Sequence, residues 1–455
     1  MAASILEHLA FAANAPDLMS ARMQMALSLG WHIVIACFGV GFPAIILIAE
    51  WRGWRRNDET CRLLARRWAS VLAVLFAVGA VSGTILSFEL GILWPGLMER
   101  FGEVIGLPFA IEAIAFFVEA IFIGIYLYGW DKLSPRAHFL SGIPIVLGGI
   151  ASAWFVVTAN AWMNQPRGFE LVGGRVTNID PWAAILNPAT PVQTTHMILA
   201  AFMVSGFGVA SVYAYSLLKG KTDRYHRLGF ILPFTVAALI TPIQIGVGDW
   251  AARFLADNQP AKLAAIEGLH ETTRGAALSI GGLPVGDELR YALRIPKALS
   301  LLAQHDPDAV VLGLEEWPAD ERPPVGPVHI GFQVMVAIGF ALLALSSWFA
   351  FVWWRRRRLP RRWFLRGAVA AGPLAAVALE AGWITTEVGR QPWIVYGVMK
   401  VEDAVTHAPN IRFGYYALIL IYIALTAATV FVLRRLAARP IPEAPAEPAP
   451  MEGLA

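Results

Sequence analysis

Nine long apolar stretches follow one another along this chain, and they constrain its fold more than any other feature. A helix needs about 20 mainly apolar residues to cross the hydrocarbon core of a bilayer. Charged residues make up only 15% of the chain, against about 25% in soluble domains. The sequence therefore predicts an all-α, polytopic membrane protein with nine transmembrane helices. The expected spans are 23–49, 68–93, 107–129, 138–162, 192–218, 228–248, 328–354, 364–388 and 412–436.

The basic residues predict how the chain is oriented. Cytoplasmic loops of membrane proteins carry an excess of Lys and Arg. Of the 36 Lys and Arg residues, 22 fall in the alternate loops on one side, including the run RRRRLPRRWFLR. We therefore expect the N-terminus outside and the C-terminus in the cytoplasm.

These expectations divide the chain into four segments. Residues 1–248 form transmembrane helices 1–6, and residues 249–327 form a long outer, periplasmic loop. Residues 328–438 form helices 7–9, and the Pro-, Ala- and Glu-rich stretch 439–455 is expected to be a disordered cytoplasmic tail. The expected surroundings are a lipid bilayer, and no pattern in the sequence predicts nucleic-acid binding.

Two histidines fall inside predicted spans. His32 lies in LGWHIVIACFGVGF, and His196 lies in TTHMILAAFMVSGFG. An ionisable residue within a bilayer is costly and is usually functional. From the residues alone, two alternatives stay open for each one: a core histidine that bonds to a neighbouring helix, or a ligand to a metal or a haem.

Paired carboxylates occur in two of the predicted spans. Glu112 and Glu119 are seven residues apart, and Glu380 and Glu387 repeat that spacing. Seven residues of helix return to nearly the same face and separate the side chains by about 10.5 Å along the axis. We expect a hydrated path or a buried site. The alternative is that these acids only fasten helices together through hydrogen bonds.

Four short strings carry a family resemblance. Together with nine spans and a long outer loop after the sixth, they make the sequence similar to subunit I of cytochrome bd-type quinol oxidases. The resemblance covers nearly the whole chain. It implies the haem-bearing subunit of a terminal respiratory oxidase of the bacterial cytoplasmic (inner) membrane, which transfers electrons from quinol to oxygen and forms water. The strings are AIEAIAFFVEA (110–120), TANAWMNQP (158–166), KLAAIE (262–267) and GRQPW (389–393).

The resemblance implies protein ligands for two high-spin haems. Glu387 resembles the family's glutamate ligand, with Arg390 and Trp383 supporting that pocket. His32 resembles the axial ligand of the other high-spin haem. One of the two is expected to be haem b, and the other haem d or a third haem b in its place. Within that family the outer loop is of the short version. This form resembles the cyanide-insensitive branch, in which haem b can replace haem d.

His196 and Met335 resemble the axial pair of a low-spin haem b. A His/Met pair fills both axial positions of the iron, which suits electron transfer and raises the reduction potential. From the residues alone, Met335 cannot be distinguished from Met197 and Met203, because a core methionine is the commoner case.

Four further residues resemble the family's proton and quinol sites. Glu112 resembles the acid beside the oxygen-reducing haem, and Glu119 its neighbour on a proton route from the cytoplasm. In the outer loop, Lys262 and Glu267 resemble the residues that bind quinol and take its proton. An alternative stays open for this pair, because a solvated amphipathic helix AKLAAIEGLHET would show the same pattern.

The resemblance also implies a homologous membrane subunit II as partner, and it leaves a single-helix accessory subunit open. Two other functions compete with the oxidase. A di-haem, quinone-linked electron carrier without oxygen reduction would need only His196, Met335 and the outer loop. A proton-coupled transporter would use the acid pairs without haem. Transporters often contain repeated halves, and the sequence shows no internal repeat.

Overall fold

The computed structural model describes residues 16–356 and 362–440. Within these ranges, nine helices are long and apolar enough to cross a membrane, so the predicted fold class is confirmed. From residue 441 onward, the predicted tail 439–455 lies outside the described residues. The spanning helices are α1 (Pro16–Arg56), α2 (Glu59–Leu93), α3 (Pro95–Gly129), α4 (Pro135–Asn164), α6 (Thr190–Leu218), α7 (Arg224–Asn258), α10 (Val325–Arg356), α11 (Arg362–Val388) and α12 (Ile411–Ala437).

Short helices and strand pairs fill the connections on the side of the predicted outer loop. α7 continues past residue 248 to Asn258 before that loop begins. The short helices are α5 (Pro181–Ile185), α8 (Pro260–Glu267) and α9 (Ala298–Gln304), with 3-10 turns at Leu314–Glu316, Ala319–Glu321 and Val401–Asp403. The antiparallel pairs are β1 (Glu170–Val172) with β2 (Arg175–Thr177), β3 (Thr273–Arg274) with β8 (Val310–Val311), β4 (Leu278–Ile280) with β7 (Leu293–Ile295), β5 (Leu283–Val285) with β6 (Glu288–Arg290), and β9 (Trp393–Val395) with β10 (Met399–Lys400).

Polar caps determine where several spanning helices begin. A side-chain oxygen at the N-cap accepts a bond from a backbone N–H of the first turn that has no partner within the helix. Asp58, Ser134 and Asp223 accept such bonds at the starts of α2, α4 and α7. The caps lie beyond the apolar runs, and the helices are accordingly longer than the predicted spans.

Small residues let the spanning helices pack closely. A Cβ on Gly206 of α6 would lie 2.8 Å from the Pro233 carbonyl oxygen of α7. Such close approach is typical of helix contacts in membranes. Buried side chains of α1, α6, α7, α10 and α11 form one apolar core, against which Met197 and Trp383 pack. This core therefore joins the helices that carry the predicted haem ligands.

Candidate functional site

His32 is held by a serine of the neighbouring helix. Its Nδ1 lies 2.8 Å from the Oγ of Ser82, which is on α2. Because Nδ1 is engaged, Nε2 is the ring nitrogen that is left for a metal. A Cβ on Gly83 would lie 3.1 Å from the His32 ring. The glycine thus keeps the space beside the imidazole open.

His196 and Met335 occupy settings that suit an iron ligand. The Nδ1 of His196 is buried and has no hydrogen-bond partner in the described part of the chain, although most buried polar groups have one. The Sδ of Met335 lies against Gly382, where a Cβ would come within 2.9 Å of it. Both residues are on helices that share the apolar core. That they ligate the same iron stays a prediction.

His329 and Gln333, one turn apart on α10, hold the outer loop, and we call this pair the loop clamp. The His329 ring nitrogens lie 2.6 Å from the Ile266 carbonyl oxygen and 3.1 Å from that of Gly281. Gln333 donates to the Ser279 carbonyl at 3.0 Å and accepts from the Gly281 N–H at 2.9 Å. With both nitrogens occupied, His329 has none left for iron.

Glu387 lies at the end of α11 between two donors. Asn160 of α4 donates to its Oε1, and Arg390 donates to its Oε2 at 2.7 Å. Arg390 is only 3% exposed, and its Nε and Nη1 are buried without a partner among the described residues. Guanidinium N–H groups only donate, so the unbonded N–H groups of Arg390 suit a further anionic group. Trp383, one turn before Glu387, packs against the apolar core.

Helix α8 is buried, which excludes the alternative of a solvated amphipathic helix. All residues from Ala261 to Glu267 are buried. The Nζ of Lys262 donates to the Asn164 Oδ1 at 2.8 Å. Burial, and to a lesser degree the positive charge of Arg390, lowers the pKa of Lys262 to about 7, while the Glu387 carboxylate opposes this shift. Lys262 can therefore exchange a proton near neutral pH.

Glu267 faces a different neighbour from Lys262. Its Oε2 accepts a long bond, 3.4 Å, from the Ser279 N–H. Burial raises the pKa of Glu267 to about 7, and the Ser279 bond opposes this effect. The structure places Lys262 towards α4 and Glu267 towards β4. The two residues are thus directed to different sides of α8, as their spacing of five residues predicts.

A cleft of about 150 Å³ opens beside Lys262. Its polar walls include Glu321 and Arg390, and its aromatic walls include Trp317 and Tyr396. Aromatic surface combined with a few polar groups is typical of sites for small organic molecules. Glu267 is not part of the lining.

Two asparagines that sequence reasoning missed connect the predicted sites. Asn164 is fully buried, and its Nδ2 donates to the Asn160 Oδ1 at 3.1 Å. The signal was present, because both residues lie one helical turn apart in the string TANAWMNQP. Hydrogen bonds thus run without a break from α8 to the end of α11. We call the following set the Lys262–Glu387 network: Lys262, Asn164, Asn160, Glu387 and Arg390.

The other acid pair faces α4, as the shared-face prediction requires. Ser152 donates to the Glu112 Oε1 at 2.9 Å. Glu119 is 4% exposed, and its Oε1 has no partner among the described residues. This oxygen lies 3.3 Å from where a Cβ of Gly149 would be, and 3.7 Å from where one of Gly39 would be. We call Glu119 with Gly39 and Gly149 the Glu119 pocket.

The side chains present fit haem iron at the predicted positions. Within the described part of the chain, His32 has its Nε2 without a hydrogen bond, His196 has a buried Nδ1 without a partner, and Met335 offers a sulfur. Imidazole and thioether groups are the axial ligands that cytochromes use. Glycines beside His32 and Met335 remove the Cβ atoms that would otherwise fill the adjacent space.

A multi-span membrane protein with such ligand-type side chains, and a buried basic and acidic pair in its loop, belongs to the class of membrane cytochromes. Residues 20–441 match the family model of cytochrome bd terminal oxidase subunit I, and the chain belongs to that family. The family resemblance that the four sequence strings indicated is therefore confirmed.

Curated relatives and a solved structure agree with this assignment. A putative cytochrome bd menaquinol oxidase subunit I of Bacillus subtilis is 39% identical, over 92% of this chain and 96% of its own length. A cytochrome bd ubiquinol oxidase subunit 1 of the same organism is 32% identical, over 92% of this chain and 93% of its own length. The bd oxidase structure from Geobacillus thermodenitrificans matches with a TM-score of 0.87 and 43% identity, over 92% of this chain and 98% of that chain.

Family membership confirms several coarse predictions. The chain is a multi-pass protein of the bacterial inner membrane, it carries haem, and it is a subunit I that works with a subunit II. The roles of the individual side chains and the orientation of the termini stay predictions.

Proposed function

We propose that this chain is the haem-bearing subunit of a quinol oxidase that passes electrons from quinol to oxygen and forms water. The burial of α8 carries the proposal. Its Lys262 is joined by hydrogen bonds to Glu387, the predicted haem ligand. The loop to which we assign the electron donor is therefore connected, through Asn164 and Asn160, to a residue to which we assign a high-spin haem. The relatives named above are a menaquinol and a ubiquinol oxidase, and both support quinol as donor.

The chain's own side chains would hold three haems. His196 and Met335 would hold a low-spin haem b, and His32 and Glu387 would each hold one high-spin haem. The high-spin groups would be a haem b together with haem d or a third haem b. When bound, the haems supply electron transfer and oxygen reduction, while the protein supplies ligands and orientation. Arg390 and Trp383 would support the pocket at Glu387.

Quinol would bind at the cleft beside Lys262, and its protons would pass on from there. The aromatic walls suit a ring, and Lys262 can donate to a quinol oxygen from the cleft wall. Glu267 lies on the other side of α8, with a pKa of about 7. It would take up a quinol proton and release it on the outer side.

Protons for oxygen reduction would come from the cytoplasm through Glu119 and then Glu112. Both acids face α4, and the Ser152 hydroxyl bonds to Glu112. In the Glu119 pocket, one carboxyl oxygen has no partner among the described residues. A water molecule can satisfy such a buried oxygen. The homologous subunit II would complete the complex, and a single-helix accessory subunit stays open.

A reduced-minus-oxidised spectrum of the purified complex, with and without carbon monoxide, tests the oxidase function. We expect low-spin bands, together with high-spin bands that respond to carbon monoxide. Low-spin bands alone would favour the electron carrier, and the absence of haem bands would favour the transporter. The Met335→Leu variant should convert the low-spin haem to a high-spin or potential-shifted form. An unchanged low-spin spectrum in that variant would refute Met335 as a ligand.

A further inference from the structure

From Lys262 to Glu387, the three hydrogen bonds of the Lys262–Glu387 network all point in the same direction. Lys262 Nζ donates to the Asn164 Oδ1 at 2.8 Å, and the Asn164 Nδ2 donates to the Asn160 Oδ1 at 3.1 Å. The Asn160 Nδ2 in turn donates to the Glu387 Oε1. An ammonium group thus stands at one end and a carboxylate at the other, with two carboxamides between them.

The orientation of the Asn164 carboxamide is determined by its neighbours. In its ammonium form lysine can only donate, so the oxygen of Asn164 faces Lys262 and its NH₂ faces Asn160. Gln259 donates to the same Oδ1 at 3.2 Å and to the Asn164 main-chain oxygen at 2.8 Å. The Asn164 Nδ2 also donates to the Asn160 main-chain oxygen at 2.9 Å. Because every hydrogen-bonding position is used, the carboxamide cannot turn without breaking several bonds.

A chain of aligned carboxamides passes on a change in the electrostatic field. In a buried, low-dielectric setting, each hydrogen bond of a chain polarises the next one. Asn164 is 0% exposed and Lys262 is 3% exposed, so water screens the Lys262 end of this path little, while the Glu387 side chain at the other end is 27% exposed. A change in what Lys262 contacts therefore alters the field at the Glu387 carboxylate.

We propose that Asn164 is a positioning residue that couples occupancy of the quinol site at Lys262 to the haem expected on Glu387. This inference rests on the proposed function. Its consequence is reciprocal, because two sites that are coupled in free energy affect each other equally. A ligand in the cleft shifts the reduction potential of that haem, and reduction of the haem changes the affinity of the cleft for its ligand.

The test is a redox titration of the haem assigned to Glu387 in the intact two-subunit complex, with and without saturating heptyl-hydroxyquinoline N-oxide as the quinol-site probe. We expect the probe to shift the midpoint potential. A tenfold difference in probe affinity between the oxidised and reduced complex corresponds to about 59 mV for one electron.

The Asn164→Asp variant is the decisive change. An aspartate of nearly the same shape still accepts from Lys262 and Gln259, but an ionised carboxylate cannot donate to Asn160. We expect a quinol KM within about threefold of the unaltered complex and a smaller probe-induced shift, with the remainder carried by Arg390, which lines the cleft and donates to Glu387. Asn164→Leu, which breaks both contacts, should raise KM as well. A purely structural role would instead reduce haem content in both variants and would not separate KM from the shift.

Two further variants complete the design. Asn160→Leu interrupts the path one step later and replaces Asn164→Asp should that protein fail to retain haem. Asn258→Leu is the matched control, because among the described residues the Asn258 side chain donates only to the Phe254 carbonyl, at 3.0 Å. It should keep the full shift. A full shift in Asn164→Asp or Asn160→Leu, or no shift in the unaltered complex, would overturn the coupling while quinol oxidation stands. Failure of the unaltered complex to bind the probe or oxidise quinol would overturn the proposed function instead.

Discussion

The two ionisable side chains of α8 and the acid of the Glu119 pocket differ in how they are bonded within the described part of the chain. Around α8, Lys262 bonds to Asn164, and Glu267 accepts from the Ser279 N–H. In the Glu119 pocket, one carboxyl oxygen has no partner among the described residues, and glycines from two other helices surround it. Lys262 and Glu267 thus each bond to the protein, whereas Glu119 keeps one oxygen available for a new hydrogen bond. Arg390, beside α8, also has buried nitrogens without a partner among the described residues.

This difference matches the two tasks that we assign to the regions. A donor site must hold its groups at fixed positions, because small displacements of a bound reactant are costly to the rate. A proton-transfer acid must instead exchange partners, for which an unfilled hydrogen-bonding position is needed. Both regions are buried, so burial alone does not distinguish them.

The largest expected effect is on the rate of oxygen reduction and follows from a substitution of Glu119. Glu119→Gln removes the exchangeable proton and preserves the shape of the side chain. We expect steady-state oxygen reduction to fall by about 100-fold or more, as is typical when a proton-transfer group is lost. Reduction of the low-spin haem by quinol should stay near normal in stopped-flow measurements. Normal turnover of this variant, or turnover in sealed vesicles without a membrane potential, would contradict the inward proton route.

The second-largest expected effect is a pH dependence of quinol oxidation that arises at Glu267 of α8. Glu267 must be an anion to accept a proton, and its pKa is about 7. Below pH 7 the anionic fraction falls about tenfold per pH unit, so kcat/KM for quinol should fall in parallel. Glu267→Gln should abolish this acidic limb and lower the rate at pH 8, with all haem bands intact. Equal loss with quinol and with artificial reductants would mean that the substitution damages the haem core.

The smallest effect tests the space in the Glu119 pocket. A Cβ on Gly149 would lie 2.8 Å from the Gly39 carbonyl oxygen and 3.3 Å from the Glu119 Oε1. Gly149→Ala should cost about 1–3 kcal/mol of stability, as overpacking usually does, which thermal unfolding would detect. Gly124→Ala on α3 is the control, since a Cβ there meets nothing within 4 Å. Equal stability of the two variants would show that the pocket has room to spare.

The sequence predicts the spans well because each depends on a local property, a run of apolar residues. The spatial connections do not follow from local pattern. Lys262 and Asn164 are 98 positions apart, and Asn160 and Glu387 are 227 apart. Helical periodicity fixes the face on which a residue lies but not the helix that it meets. Carboxamides are also frequent at turns and caps, so the two asparagines carried no distinctive signal of their own.

The loop clamp has a consequence for how the outer loop can vary in length. His329 and Gln333 grip the chain at Ile266, Ser279 and Gly281, all near Glu267. After these bonded residues, the β5–β6 hairpin turns at Gly286, and the next side chain, Asp287, is 94% exposed. Extra residues inserted at this turn would extend away from the anchored part. The hairpin tip is therefore a natural place for lineages to lengthen the loop, and a practical one for grafting a reporter peptide without disturbing the donor site.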